Sequence, residues 1–146
     1  MRRFCERALA SKDAGALGPA VRRRLQSTLA ALYEEAGEGG KALALYREIL
    51  AAEPEVLSAR AGAARMLEGQ GESADARALW DEITGAPPGK AGWIEAHYQS
   101  ARLSLVLGEP ARACTVLRQV PPAMLLNANT DTPKRIQELL RTHCAS

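Results

Sequence analysis

The sequence predicts an all-α array of about three helix-turn-helix units followed by a C-terminal capping helix, and three observations carry that prediction. Gly37, Gly71 and Gly108 each follow an alanine-rich stretch, at intervals of 34 and 37 residues, and each is followed five residues later by alanine, at Ala42, Ala76 and Ala113. The same register aligns Ala30, Ala64 and Ala101; Leu32, Met66 and Leu103; Leu45, Leu79 and Val116; Tyr46, Trp80 and Leu117; and Ile49, Ile83 and Val120, so that every column is small or apolar. No stretch alternates polar and apolar residues as a half-buried strand would. A single helix pair cannot bury its apolar face alone, so units repeating at this period are expected to stack as an α-solenoid.

The elements follow in order. Leu25, Leu29, Leu32 and Ala36 recur at helical spacing before Gly37-Glu38-Gly39-Gly40 breaks the run, and Ala42, Leu45, Tyr46 and Ile49 give the returning helix its face. Small side chains at Ala30 and Ala42 allow two helix axes to approach, while Tyr46, Trp80 and Leu117 fill the space towards the next unit. Pro54 and Pro88 close the first two units, and the longer third interval is taken up in the loop Gly85-Ala86-Pro87-Pro88-Gly89-Lys90-Ala91-Gly92. Pro19, Pro110 and Pro133 stand near first turns, where the missing N–H costs little. The units run over 23–56, 57–90 and 91–125. Residues 1–22 are either the end of a repeat, as in a fragment of a longer protein, or an N-terminal cap; residues 126–146 form a capping helix, with Ile136, Leu139 and Leu140 on one face, and a tail.

Composition narrows the function. The 146 residues suffice for one domain or one repeat array, and 19 basic against 17 acidic side chains give no basis for a nucleic-acid or anionic-membrane partner. Arg22-Arg23-Arg24 is the only basic run; without interleaved aromatics it is a solvated first turn and not a nucleic-acid platform. No apolar run approaches a membrane span, Met1-Arg2-Arg3-Phe4-Cys5 is not followed by a signal-peptide core, and a cytoplasmic chain is expected. Cys5, Cys114 and Cys144 form no Cys-x-x-Cys pair and are expected to be reduced thiols; with two histidines in the chain, no metal site and no cofactor are expected.

The 34-residue interval, the small residue at Ala30, Ala64 and Ala101, the glycine after the first helix, the alanine opening the second, the aromatics Tyr46 and Trp80, and the closing Pro54 and Pro88 together resemble tetratricopeptide repeats. The resemblance covers roughly Arg23 to Leu125 and is closest in the first unit, where Leu29 and Tyr33 also stand at expected positions. The third unit departs from it most: Ser104 stands where a bulky residue is usual, and Leu125 where proline would be. The resemblance implies a concave surface lined by the first helices of the units, on which a peptide or partner helix is held. It assigns to that surface Arg24, Ser27, Thr28, Ala31 and Glu35, then Ala61, Gly62 and Arg65, then Tyr98, Gln99 and Arg102. Arg65 and Arg102 are equivalent positions, suited to forking a carboxylate, with Tyr98 as a flat contact, so the expected groove is Arg24, Ser27, Gly62, Arg65, Tyr98, Gln99 and Arg102 and the expected partner an acidic protein or peptide. Gly62 admits either a close ligand backbone or a neighbouring helix. Some family members clamp a chaperone peptide's terminal carboxylate here with lysine, asparagine and arginine, but Ser27, Ala31, Gly62, Glu95 and Gln99 occupy those positions in this chain.

Catalysis is not expected. The chain has no phosphate loop or nucleophile elbow, His97 with Ser100 or Ser104 would need a closed pocket, and the neighbouring carboxylates Glu34-Glu35 and Asp81-Glu82 read as surface charge. Self-association through an exposed end of the array is the competing function. Far-ultraviolet circular dichroism should show a mainly helical chain, and a substantial strand signal would end the repeat reading.

Overall fold

Glycine at positive φ stops a helix at three equivalent places, and the helices fall between them. The computed structural model describes residues 1–126 and 130–144, so parts of the expected capping segment and tail, at 127–129 and 145–146, lie outside the described residues. Among the described residues the structure is all-helical, without strands. The helices are α1 (Arg2–Ala10), α2 (Pro19–Glu35), α3 (Gly39–Ala52), α4 (Leu57–Gly69), α5 (Ser73–Thr84), α6 (Trp93–Val106), α7 (Pro110–Arg118), α8 (Pro122–Leu125) and α9 (Asp131–His143), with a 3-10 turn over Ala14–Ala16. They divide into two units, Met1–Gln70 and Gly71–Ser146, and the division falls inside the second expected repeat.

The turns explain the period. Gly37, Gly71 and Gly108 have φ of 76°, 83° and 77°, a region that costs an L side chain about 1–2 kcal/mol. The Glu38 amide then reaches back to the Tyr33 carbonyl at 2.8 Å, and the Glu109 amide to the Ser104 carbonyl at 2.8 Å, satisfying carbonyls the ending helix leaves open. The next residue in each case is glutamate, and Glu38, Glu72 and Glu109 are the N-caps of α3, α5 and α7. Two of these carboxylates repeat a local ion pair three residues on, Glu38 with Lys41 at 2.7 Å and Glu109 with Arg112 at 3.6 Å.

In the first unit, α1 lies on α2, α2 on α3 and α3 on α4. The buried face of α2 is Gln26, Leu29, Ala30 and Tyr33, turned from the expected stripe: Leu25 and Leu32 are half-buried, and Ala36 is exposed beyond the helix end. Gln26 can be buried because its amide donates to Glu48 of α3 at 3.0 Å. On α1, Cys5 is the buried residue, while Ala8 and Leu9 are half-covered.

In the second unit α6 packs between α5 and α7, and α9 lies on both α6 and α7. Its core joins Trp93, Ala101, Ala113, Leu117, Val120, Leu125 and Ile136, with Leu139 and Leu140 packed at its margin. The expectation of reduced thiols fails here. Cys114 of α7 and Cys144 at the end of α9 form a disulfide across 30 residues of sequence, leaving buried Cys5 as the free cysteine. The pairing comes from the folding of α9 onto α7, which no local cysteine spacing announces.

Gly62 gives the sharpest packing test. A Cβ placed there would overlap Cζ of Tyr46, so the tyrosine ring of α3 rests directly on the α4 backbone. Gly62→Ala should therefore destabilise the chain by about 1–3 kcal/mol, as overpacking does, although alanine is the better helix former by about 1 kcal/mol. Pairing it with Tyr46→Leu in a double-mutant cycle should return much of that loss. Denaturant unfolding measures both, and a stabilised single variant would show that the ring does not sit there.

Candidate interaction surface

The expected groove residues fall in both units, and each unit has its own chemistry. In the first, Arg24 is exposed and Ser27 half-buried on α2. Gly62 is buried beneath Tyr46, so the space over its Cα is already filled and is closed to a ligand backbone. Arg65 is exposed but engaged: its Nη2 donates to Glu34 Oε1 at 3.0 Å and its Nε to Oε2 at 3.4 Å. The Tyr46 hydroxyl donates to the same Glu34 oxygen. Glu34 thus ties α2 to α3 and α4, and its half-buried carboxylate is a structural acceptor where plain surface charge was expected.

Asp81 corrects the same expectation in the second unit. It accepts the Ser100 hydroxyl of α6 and, at 3.0 Å, Nη2 of Arg112. Arg77, whose side chain is 11% exposed, donates to Glu109 at 2.6 Å and reaches the fully buried Ser104 hydroxyl at 3.4 Å. The place where the repeat pattern wants a bulky residue is shared between a serine and a long arginine from α5. His97 is also fully buried, with Nδ1 against the Trp93 carbonyl at 2.8 Å and its ring 4.1 Å from the Trp93 ring.

Glu95, Gln99 and Arg102 recur at i, i+4 and i+7 along one face of α6 and are linked end to end. Thr132 Oγ1 of α9 donates to Glu95 at 2.7 Å, the Gln99 amide donates to the other Glu95 oxygen at 2.7 Å, and Arg102 donates through Nε and Nη2 to the Gln99 carbonyl oxygen at 2.9 and 2.6 Å. Each bond orients the next group, so the Arg102 guanidinium is positioned from α9 through two intermediates. Tyr98, half-buried beside them, lies under the Arg135 guanidinium at 5.8 Å. At the Glu95 end the face borders a cleft of about 580 Å³ whose lining includes Trp93, Ile94, Met124 and Pro133, with Lys90 and Thr132 at its polar edge.

The structure therefore gathers Tyr98, Gln99 and Arg102 on one helix, and places Arg24, Ser27, Gly62 and Arg65 on two helices of the other unit. Sequence reasoning passed over Glu34, Asp81 and Arg77 as partners. The repeated Gly-Glu doublets were a usable signal for the cap pairs, while nothing in the spacing marks Asp81 as the acceptor for Ser100. Among the described residues no group of three or more histidine, cysteine or acidic side chains could hold a metal ion. No protein-family model matches the chain, and no curated protein matches it.

The Tyr46–Glu34 bond has a pH signature. Burial first, and then donation to the Glu34 carboxylate, push the Tyr46 phenol well above its ordinary value near 10. Tyr33, bonded to Glu6 at 2.8 Å, is raised too, chiefly by that bond. A raised folded-state value means that the stabilisation is complete below about pH 10 and is lost as the pH climbs through the folded-state value. Tyr46→Phe should flatten this alkaline loss in urea titrations between about pH 8 and 11. A variant curve running parallel to the parent would remove the bond from the account.

Proposed function

We propose that the chain is a protein-interaction module of the tetratricopeptide-like kind, in which stacked helix pairs hold a peptide or partner helix against the first helices. The observation that supports it best is the Tyr98-Gln99-Arg102 face of α6, a flat aromatic and an oriented guanidinium set beside a partly apolar cleft. Such a surface suits a segment carrying an apolar side chain for the cleft and an acidic group for the arginine. The positive-φ glycines at one register, with helices on either side of each, support the repeat reading.

Arg65 has a smaller part in this proposal than the sequence implied. Its charge is already matched by Glu34, so reversing it would set two carboxylates side by side and disturb the fold as well as any binding. Catalysis is not part of the proposal, since His97, Ser100 and Ser104 are all fully buried. Among the described residues no helix is long and apolar enough to cross a membrane, and the cytoplasm is the proposed compartment. A second reading, self-association, is favoured by one observation: Met1 is 79% exposed and Phe4 on α1 61% exposed, large apolar groups left in water.

The test separates the two. Arg102→Glu and Tyr98→Ala should each leave the helical signal intact while weakening capture of acidic amphipathic peptides about tenfold, with the arginine variant also losing salt dependence. Peptides retained equally by both variants would sink the α6 surface as the binding face. Light scattering over a range of concentrations, comparing the parent with Phe4→Ser, reads the self-association alternative directly.

A further inference from the structure

Helix α9 is held unevenly along its length. At 13 residues it is too short to persist without packing. Its first half is seated by Pro133 and the fully buried Ile136, by the Thr132 bond to Glu95, and by the Gln137 amide donating to the Leu125 carbonyl at 3.1 Å. Its second half offers Leu139 and Leu140, both only half-buried, and ends at Cys144, whose carbonyl accepts from Arg118 at 3.1 Å. Covalent attachment to Cys114 of α7 is the strongest restraint on that half.

The two sulfurs also differ in access. Cys114 is 7% exposed, whereas Cys144 at the helix end is half-exposed, so an incoming thiol meets the Cys144 side first. In a cytoplasm kept reducing by dithiols, the compartment proposed above, protein disulfides are usually transient and redox-responsive. We propose that Cys114–Cys144 is a redox-operated latch: a dithiol opens it, the last two turns of α9 leave α7, and the first turns stay seated on α6.

The exchange balances without any further reagent. One thiolate of the dithiol attacks Sγ of Cys144, forming a mixed disulfide and expelling Cys114 as a thiolate, which takes up a proton. The second thiol of the same reductant then attacks the reductant sulfur of the mixed bond and expels Cys144. The protein gains two electrons and two protons, and the reductant leaves as its own disulfide, which can close the latch in reverse. Opening bares the side of α7 that carries Cys114, together with the inward faces of Leu139 and Leu140, a surface available only in the reduced state.

Hydrogen exchange on the full chain tests this, with dithiothreitol as the reductant, in the oxidised form, the reduced form and a Cys114→Ser, Cys144→Ser variant. Reduction should speed exchange at least about tenfold over residues 139–144 while leaving α6 protected, and the serine variant should match the reduced form and ignore the reagent. Three results would each overturn the latch. Unchanged exchange at 139–144 would leave the bond without a conformational role. Loss of protection through α6 and α7 together would make it a brace for the whole unit, and a bond that dithiothreitol opens only after unfolding could not operate as a latch. The reduced parent chain supplies the decisive comparison even if the serine variant folds poorly, and the readout is independent of the compartment and of any binding partner.

Discussion

The left-handed glycine between consecutive helices is the constraint on which the rest depends. At Gly37, Gly71 and Gly108 the chain must take a backbone conformation that L side chains resist, and once it does, the helix before it ends and the next begins within two residues. That break fixes where the next helix starts, and at Gly37 and Gly108 the two helices it separates pack on each other. Five residues beyond each glycine stands an alanine with no exposed surface, Ala42, Ala76 and Ala113. Their counterparts on the preceding helices, Ala30, Ala64 and Ala101, are likewise wholly covered. A larger side chain at any of the six would meet neighbouring atoms at once, since close-packed interiors offer no spare volume.

These columns were the legible part of the fold. Small residues at a fixed period mark close helix approach, and Tyr46, Trp80 and Leu117 mark the bulky fillers; all three are buried, as are Ile49, Ile83 and Val120. What could not be read is mostly polar or distant. Gln26 looks like a surface residue until α3 supplies Glu48, and Ser104 looks like a gap in the pattern until Arg77 enters it from α5. The Cys114–Cys144 bond depends on where α9 lands. Periodicity reports which side of a helix is inward and is silent about which partner waits there.

The candidate site was legible to a similar depth. Register arguments placed Tyr98, Gln99 and Arg102 together because they lie on one helix, and they stand together. The same arguments treated Gly62 and Arg65 as surface equivalents of later positions. Tyr46 covers the first, and Glu34 neutralises the second. Local neighbours decide whether an equivalent position is equivalent in charge, and beside Arg65 the neighbour is the Glu34 carboxylate.

The disulfide also changes the topology of the chain. Cys114 and Cys144, 30 residues apart, turn everything between them into a closed covalent ring that includes the exposed Leu126 and Thr130. A protease cutting once inside that ring would separate no fragment: the two pieces would remain one molecule, heavier only by the water taken up in hydrolysis, and would part only when the sulfur bridge was broken. Damage to this end of the protein is thus stored silently under oxidising conditions and becomes loss of the C-terminal piece at the moment of reduction.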